Sequence, residues 1–191
     1  MKRGILTLMF GLTALSSATA QNVSNPEGAA PAIPNVALVY YDVSGPNDLK
    51  IRSSINNARP VDPADGKPHD GLTNYKFGWG WPIDGTGKCH LDEAKVEFRA
   101  TVTLPLLTNY AELPVDLQKK WDRYQSALKD HEFGHVELAW SQKDNLLAVI
   151  QGATCDTANK AANEFVRQIV DMQKKYDIRT KGGISKTSSF P

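Results

Sequence analysis

The sequence is poor in the features that mark the extreme classes of protein. Only two of its 191 residues are cysteine, which excludes a small scaffold held together by many disulfides. Histidine is also scarce, with four residues. The longest mainly apolar run, Ile5–Leu15, is too short to cross a membrane as a helix. With 41% hydrophobic and 23% charged residues, the composition indicates an ordinary globular chain of about one domain.

Neither sign of charge is in clear excess. The chain has 22 basic and 21 acidic side chains, and residues 1–20 contain Lys2 and Arg3 but no acidic residue. Removal of residues 1–20 would leave 20 basic and 21 acidic side chains, a net charge of −1. This balance argues against nucleic acid or an anionic membrane surface as the main partner.

The first 20 residues have the pattern of a secretory signal peptide. Lys2 and Arg3 provide the positive start, Ile5–Leu15 the apolar segment, and Ala18–Ala20 the small residues that precede cleavage. An uncleaved anchor is the alternative, but no stop-transfer segment follows. We therefore expect a bacterial protein that is periplasmic or secreted, without stable membrane insertion once the signal has been removed.

The two cysteines, Cys89 and Cys155, most simply form one disulfide in an oxidising compartment. A Cys2His2 zinc site is the rival interpretation, but neither cysteine has a neighbouring ligand at zinc-finger spacing. Around this pair we expect a flexible leader (21–34), one folded domain (35–180) and a flexible Gly- and Ser-rich tail (181–191).

The first half of the domain has strand patterns. Val36–Val43 is β-branched and aromatic, which is typical of a strand. Residues 75–81 and 94–104 alternate between apolar and other residues, which predicts an antiparallel pair with one wet face. Between these segments, Leu49, Ile51 and Ile55 suit either a short helix or another strand.

The second half has helical periodicity. From Pro114 to Val149, apolar residues recur every three or four positions, which predicts one long amphipathic helix that ends at Gly152. A second helix is predicted from the face that runs from Ala158 to Tyr176. The expected fold is therefore α+β, with a small antiparallel sheet followed by a long helical hairpin that the disulfide fastens to it.

Two of the four histidines belong to an H-E-x-x-H motif, His131 to His135, within the apolar stripe of the first helix. Residues four apart share a helix face, so both imidazoles can bind one zinc ion. Zinc lowers the pKa of its bound water to about 7, and Glu132 is expected to remove the proton as that water attacks a carbonyl carbon. Hydrogen-bonded burial is the ordinary alternative for such a histidine pair.

A catalytic zinc ion normally has three protein ligands. The long metzincin motif is absent, since Leu138 and Ser141 stand where it has its glycine and last histidine. If the hairpin turns near residue 154, positions 173–177 face the histidines, which favours Asp177 as the third ligand. The other candidates are Asp171, Glu137, Glu164, His69 and His90.

These features together resemble a bacterial family of predicted secreted zinc-dependent proteases, a domain of unknown function, over about Val36 to Thr180. The likeness rests on Phe77–Trp81, Cys89, Leu104-Pro105, Trp121–Tyr124, His131–His135, Tyr176-Asp177 and Thr180. The resemblance implies a zincin-like domain with metallopeptidase chemistry. The chain departs from that pattern at Gly182-Gly183, where related sequences carry His-Gly.

The leading hypothesis is a zinc-dependent peptidase that acts on a peptide or protein substrate, with His131, His135 and Asp177 as ligands and Glu132 as general base. The alternative is a non-catalytic, zincin-like envelope binding module. It would use the aromatic face of Tyr75, Phe77, Trp79 and Trp81 for a partner, although such a face usually packs in a core. The sequence does not specify the oligomeric state.

Overall fold

The computed structural model describes residues 33–183 and residue 190. The predicted signal peptide and nearly all of the predicted leader lie outside the described residues. In chain order, the elements are β1 (Val36–Val43), α1 (Asp48–Ala58), β2 (Leu72–Gly80), β3 (Lys95–Leu107), α2 (Val115–Trp140), α3 (Lys143–Gln151) and α4 (Ala158–Thr180). Within the described residues, no helix is both long and apolar enough to cross a membrane.

The three strands form a sheet in the order β1-β3-β2. β2 and β3 pair antiparallel, with Phe77 opposite Phe98, which confirms the predicted pair. β1 joins the other edge of β3 in parallel, with Leu38 opposite Val102, so the sheet is mixed and the expectation of a purely antiparallel sheet is wrong. Alternate residues of β3 from Val96 to Leu104 are buried, while Lys95, Glu97 and Arg99 are exposed, which confirms the wet face.

The segment with the ambiguous pattern is the helix α1. The side chain of Asn47 accepts a hydrogen bond from the backbone N–H of Lys50 at 3.0 Å and caps the helix. Ile51 and Ile55, one helical turn apart, are both fully buried. The capped first turn and the shared apolar face explain why this segment is a helix.

The predicted single long helix is interrupted at Ser141 and Gln142, between α2 and α3. Ser141 Oγ donates a hydrogen bond to the carbonyl oxygen of Leu138 at 2.9 Å, a side-chain bond that commonly bends helices. After the bend, Leu146 and Ile150 are fully buried. The apolar spacing continues across the break and therefore did not reveal it. The fold is α+β, as expected.

Two further contacts tie the chain together. Cys89 and Cys155 form the expected disulfide, which joins the approach to β3 to the start of α4. Phe190, within the segment predicted as a flexible tail, is 4% exposed and packs on Trp121 and Tyr124. Of the predicted aromatic face, Phe77 is buried, and the other three residues pack partly buried against the same core (Tyr75, Trp79 and Trp81).

Candidate metal centre

The motif on α2 and the last turns of α4 bring three ligand atoms to one point. His131 Nε2 and His135 Nε2 lie 3.2 Å apart. Asp177 Oδ1 lies 2.9 Å from His135 Nε2 and 3.2 Å from His131 Nε2. The imidazoles are largely buried, with 5% and 13% of their side chains exposed, while Asp177 is 49% exposed. The helical hairpin therefore places the Asp177 carboxylate at both histidines.

Gln173 determines which nitrogen of His135 carries a proton. Its amide nitrogen donates to the backbone oxygen of His135 at 3.0 Å, so the amide oxygen is the atom that faces Nδ1, at 2.6 Å. An amide oxygen can only accept, and Nδ1 must therefore be the protonated nitrogen. Nε2 of the neutral imidazole then directs its lone pair at Asp177 and His131.

Thr180 and Tyr176 hold His131 in the same way. The hydroxyl group of Thr180 donates to the backbone oxygen of Tyr176 at 2.8 Å, and its oxygen accepts from His131 Nδ1 at 3.2 Å. The Tyr176 ring stacks on the His131 ring, with centroids 5.3 Å apart and planes at 16°. In the neutral His131 ring, Nε2 therefore carries the lone pair, as in histidine ligands whose second nitrogen is hydrogen-bonded.

With both imidazoles neutral, the three facing atoms are all electron-pair donors, and either a proton on Nε2 or a metal ion offsets their repulsion. Burial would lower the pKa of His135, but its hydrogen bonds with Asp177 and Gln173 outweigh burial and raise that pKa. Burial would likewise raise the pKa of Asp177, but hydrogen bonds from His131 and His135 hold it well below its usual range. Ligands at 2.0–2.1 Å from a tetrahedral zinc ion are about 3.3 Å apart, so the observed separations fit this donor set.

Glu132 is buried beside this centre. Thr73, on β2, donates a hydrogen bond from its hydroxyl group to Glu132 Oε2 at 2.7 Å. A Cβ atom at Gly71 would lie 2.6 Å from Glu132 Oε1, so the carboxylate fits only because residue 71 is glycine. Burial raises the pKa of Glu132, while the Thr73 hydrogen bond and the charges of the two imidazoles oppose that increase.

The centre opens into a cavity of about 910 Å³. Residues 70–75 line one wall, and Val166, Val170 and Gln173 of α4 line another. Tyr75 also faces the cavity, and its hydroxyl group hydrogen-bonds with Gln173. Burial raises the pKa of Tyr75, although that hydrogen bond lowers it, so the hydroxyl group is protonated at neutral pH. The cavity is large enough for a small ligand or for a short segment of a peptide.

The other predicted candidates lie apart from the centre. Asp171 is exposed and pairs with Lys174 at 3.5 Å. Glu137 and Glu164 are exposed. His90 pairs with Asp84, away from this cavity, and His69 lies in the cavity wall but pairs with Asp65.

Sequence reasoning missed Thr73, because nothing in the pattern of β2 links it to a helix 59 residues away. It also missed the supporting roles of the α4 residues Gln173, Tyr176 and Thr180. Their spacing places them on one helix face with Asp177, and polar residues within that mostly apolar face were the available signal.

Comparison with curated proteins and with solved structures finds no match for this chain. A family model does match, and it covers residues 38–183. The match spans β2, β3 and all four helices, including every residue of the candidate metal centre. The chain therefore belongs to the family described as bacterial protein of unknown function (DUF922).

Proposed function

We propose that the protein is an exported zinc-dependent peptidase, in which His131, His135 and Asp177 bind zinc and Glu132 is the general base. One observation carries the proposal: three donor atoms lie within 3.2 Å of one another, beside a buried glutamate, in the wall of a cavity. In both rings the second nitrogen is hydrogen-bonded, as in histidine ligands of a metal ion, and both Nε2 atoms face one carboxylate oxygen.

Glu132 and Thr73 have separate roles in the proposed reaction. When bound, zinc supplies a Lewis acid that polarises a carbonyl group and lowers the pKa of a water molecule to about 7. Glu132 accepts the proton of the attacking water, and Thr73 keeps its carboxylate oriented.

Tyr75 supplies the donor for the negative charge that develops on the carbonyl oxygen of the substrate. Its oxygen is engaged with the side chain of Gln173, in a contact that lowers the pKa of Tyr75. Because burial raises the pKa of Tyr75 overall, its hydroxyl group keeps its proton at neutral pH, and it lies in the cavity wall. A positioned hydroxyl group is a typical stabiliser of such an oxyanion.

Export is part of the proposal. The disulfide between Cys89 and Cys155 suits the periplasm or the medium, where thiols are oxidised. The pattern of residues 1–20 supports the same location. The substrate is a peptide or protein, with no role for nucleic acid.

The test combines metal analysis with hydrolysis. Purified protein should contain about one zinc ion per chain, and His135→Ala should contain almost none. A mixed peptide library should yield new termini with the wild type and none with Glu132→Gln, which keeps the shape of the side chain and removes the base. Zinc content that is unchanged in His135→Ala, or equal products from wild type and Glu132→Gln, would reject the proposal.

A further inference from the structure

One buried carboxylate in the cavity wall is surrounded by two guanidinium groups. Asp70, whose side chain is 8% exposed, accepts hydrogen bonds from Arg52 at 2.6 Å and from the Tyr124 hydroxyl group at 2.8 Å. Arg59 approaches the other carboxylate oxygen at 3.4 Å. Two positive charges therefore share one negative charge.

Arg52 is fully engaged as a structural residue. Besides Asp70, its guanidinium group donates to the backbone oxygen of Phe190 at 2.9 Å. It also lies 5.6 Å from the centre of the Tyr124 ring. The ion pair of Asp70 with Arg52 is the shorter one, so Arg59 has the weaker contact with this carboxylate.

Arg59 is poorly satisfied by the protein. Its Nε atom is buried and has no hydrogen-bond partner within the described residues. Its one ion pair in that part of the chain is the 3.4 Å contact with Asp70. The nearby acids do not replace a partner: Asp65 pairs with His69, and Asp62 accepts from the backbone N–H of Ala64. A buried donor without a protein partner is unfavourable, and a water molecule or a ligand in the cavity can supply the acceptor.

Arg59 lines the same cavity as the candidate metal centre. Asp70, beside it, is three residues from Thr73, which contacts Glu132. Arg59 and Glu132 both line this cavity, so one peptide bound in it can contact both side chains.

We propose that Arg59 binds a carboxylate of the substrate, in the same cavity in which the peptide bond is cleaved. A guanidinium group suits this role because its planar set of donors matches a carboxylate. The carboxylate is either the C-terminus of the peptide or the side chain of an aspartate or glutamate. This inference rests on the proposed peptidase function.

The test uses three N-acetylated random octapeptide libraries with the zinc-loaded protein. The first has a free C-terminal carboxylate and no acidic side chain, and the second has a C-terminal amide and one Asp or Glu. The third has a C-terminal amide and only Asn or Gln in those places. Cleavage is followed by mass spectrometry, and binding by retention on immobilised Glu132→Gln protein.

At least one carboxylate library should be retained and cleaved about tenfold better than the neutral library, which corresponds to about 1.4 kcal/mol. Arg59→Gln is introduced into the wild type for the cleavage assay and into the Glu132→Gln protein for the retention assay. In both proteins the preference should fall to within about twofold. The library that shows the preference identifies the source of the carboxylate. No preference in the wild type, or an undiminished preference in Arg59→Gln, would overturn the inference.

Lys174→Gln is the matched control, because Lys174 is another cation of the cavity wall and is 70% exposed. Lys174→Gln should keep the preference for carboxylates. An equal loss in Lys174→Gln and Arg59→Gln would indicate general electrostatic attraction and reject specific binding by Arg59.

Arg59→Lys keeps the charge without the planar donors and should lose most of the preference. If Arg59→Gln does not fold, the preference measured in Arg59→Lys decides whether Arg59 binds the carboxylate. Absence of cleavage in all libraries would reject the peptidase function, while retention would still decide the role of Arg59.

Discussion

Tyr176 packs against the helix backbone at Gly134 so closely that a Cβ atom at position 134 would overlap its hydroxyl group. Glycine within a helix costs about 1 kcal/mol relative to alanine. Its presence in the middle of the H-E-x-x-H motif is therefore explained by this contact, which lets the Tyr176 ring stack on His131.

Gly134→Ala should destabilise the protein by about 1–3 kcal/mol, although alanine favours helices, because the new methyl group displaces Tyr176. The variant should also bind zinc more weakly, since His131 loses its stacking partner. Urea unfolding and zinc titration measure the two effects. Tyr176→Leu removes the overlapping atoms, so the double variant should lose less than the sum of the single variants. Full additivity would contradict the proposed contact.

Gln173→Leu should lower zinc affinity about ten- to hundredfold, because His135 loses the acceptor that selects its tautomer. Gln168→Leu is the matched control on the exposed face of α4 and should leave the affinity unchanged. Competition with a chromogenic chelator measures both variants. Equal affinities for the two would show that Gln173 does not orient His135.

Asp177 and Asp171, both on α4, allow the proposed third zinc ligand to be compared with an exposed carboxylate. Zinc at a hundred times its Kd should stabilise the wild type by about 2.7 kcal/mol, and a chelator should remove this gain. Asp177→Asn should retain less than about 1 kcal/mol of the gain at the same zinc concentration. Asp171→Asn, on the exposed face, should retain all of it. Thermal unfolding with and without zinc gives the result, and a full gain in Asp177→Asn would exclude Asp177 as a ligand.

Tyr75→Phe should reduce the rate of hydrolysis about a hundredfold, because one donor to the oxyanion is lost. The zinc content should stay at the wild-type level, which separates this effect from loss of the metal ion. Tyr110→Phe serves as the control, since that hydroxyl group bonds to Asp122 at 2.9 Å on the surface. A similar rate in Tyr75→Phe and wild type would remove Tyr75 from the proposed chemistry.

Replacement of both Cys89 and Cys155 by serine should lower the free energy of unfolding by about 2–4 kcal/mol, because the unfolded chain regains the freedom of a long loop. Urea unfolding of the oxidised wild type and of the double variant measures the difference. Addition of a reductant should destabilise the wild type and leave the variant unchanged. An unaltered midpoint in the variant would show that the crosslink contributes little.

The geometry of the histidine pair could be predicted because it depends on a local rule. His131 and His135 share a face in any helix that contains them, whatever the rest of the fold does. Asp177 could be placed opposite them because residues on the two arms of a hairpin have similar distances from its turn. Its contact with both imidazoles agrees with that placement, and its role as a ligand stays a prediction.

The contacts that complete the site could not be predicted. Thr73 reaches Glu132 only because β2 lies at the edge of the sheet beside α2. The pairing of Arg52 and Arg59 with Asp70 likewise joins α1 to the segment before β2. Such contacts depend on how separate elements pack, and the sequence pattern of one element does not predict which other element it contacts.

By itself, the sequence determined the α+β class, the antiparallel pair, the helical hairpin, the disulfide and the face that carries the histidines. These features follow from periodicity within one element, or from a single possible cysteine pair. The tertiary structure decided the parallel pairing of β1 and the cavity that holds Glu132, Tyr75 and Arg59 together. It also decided the break between α2 and α3, where a side chain bends a helix whose apolar spacing continues unchanged. Contacts between distant segments depend on the packing of the whole chain, which no local pattern records.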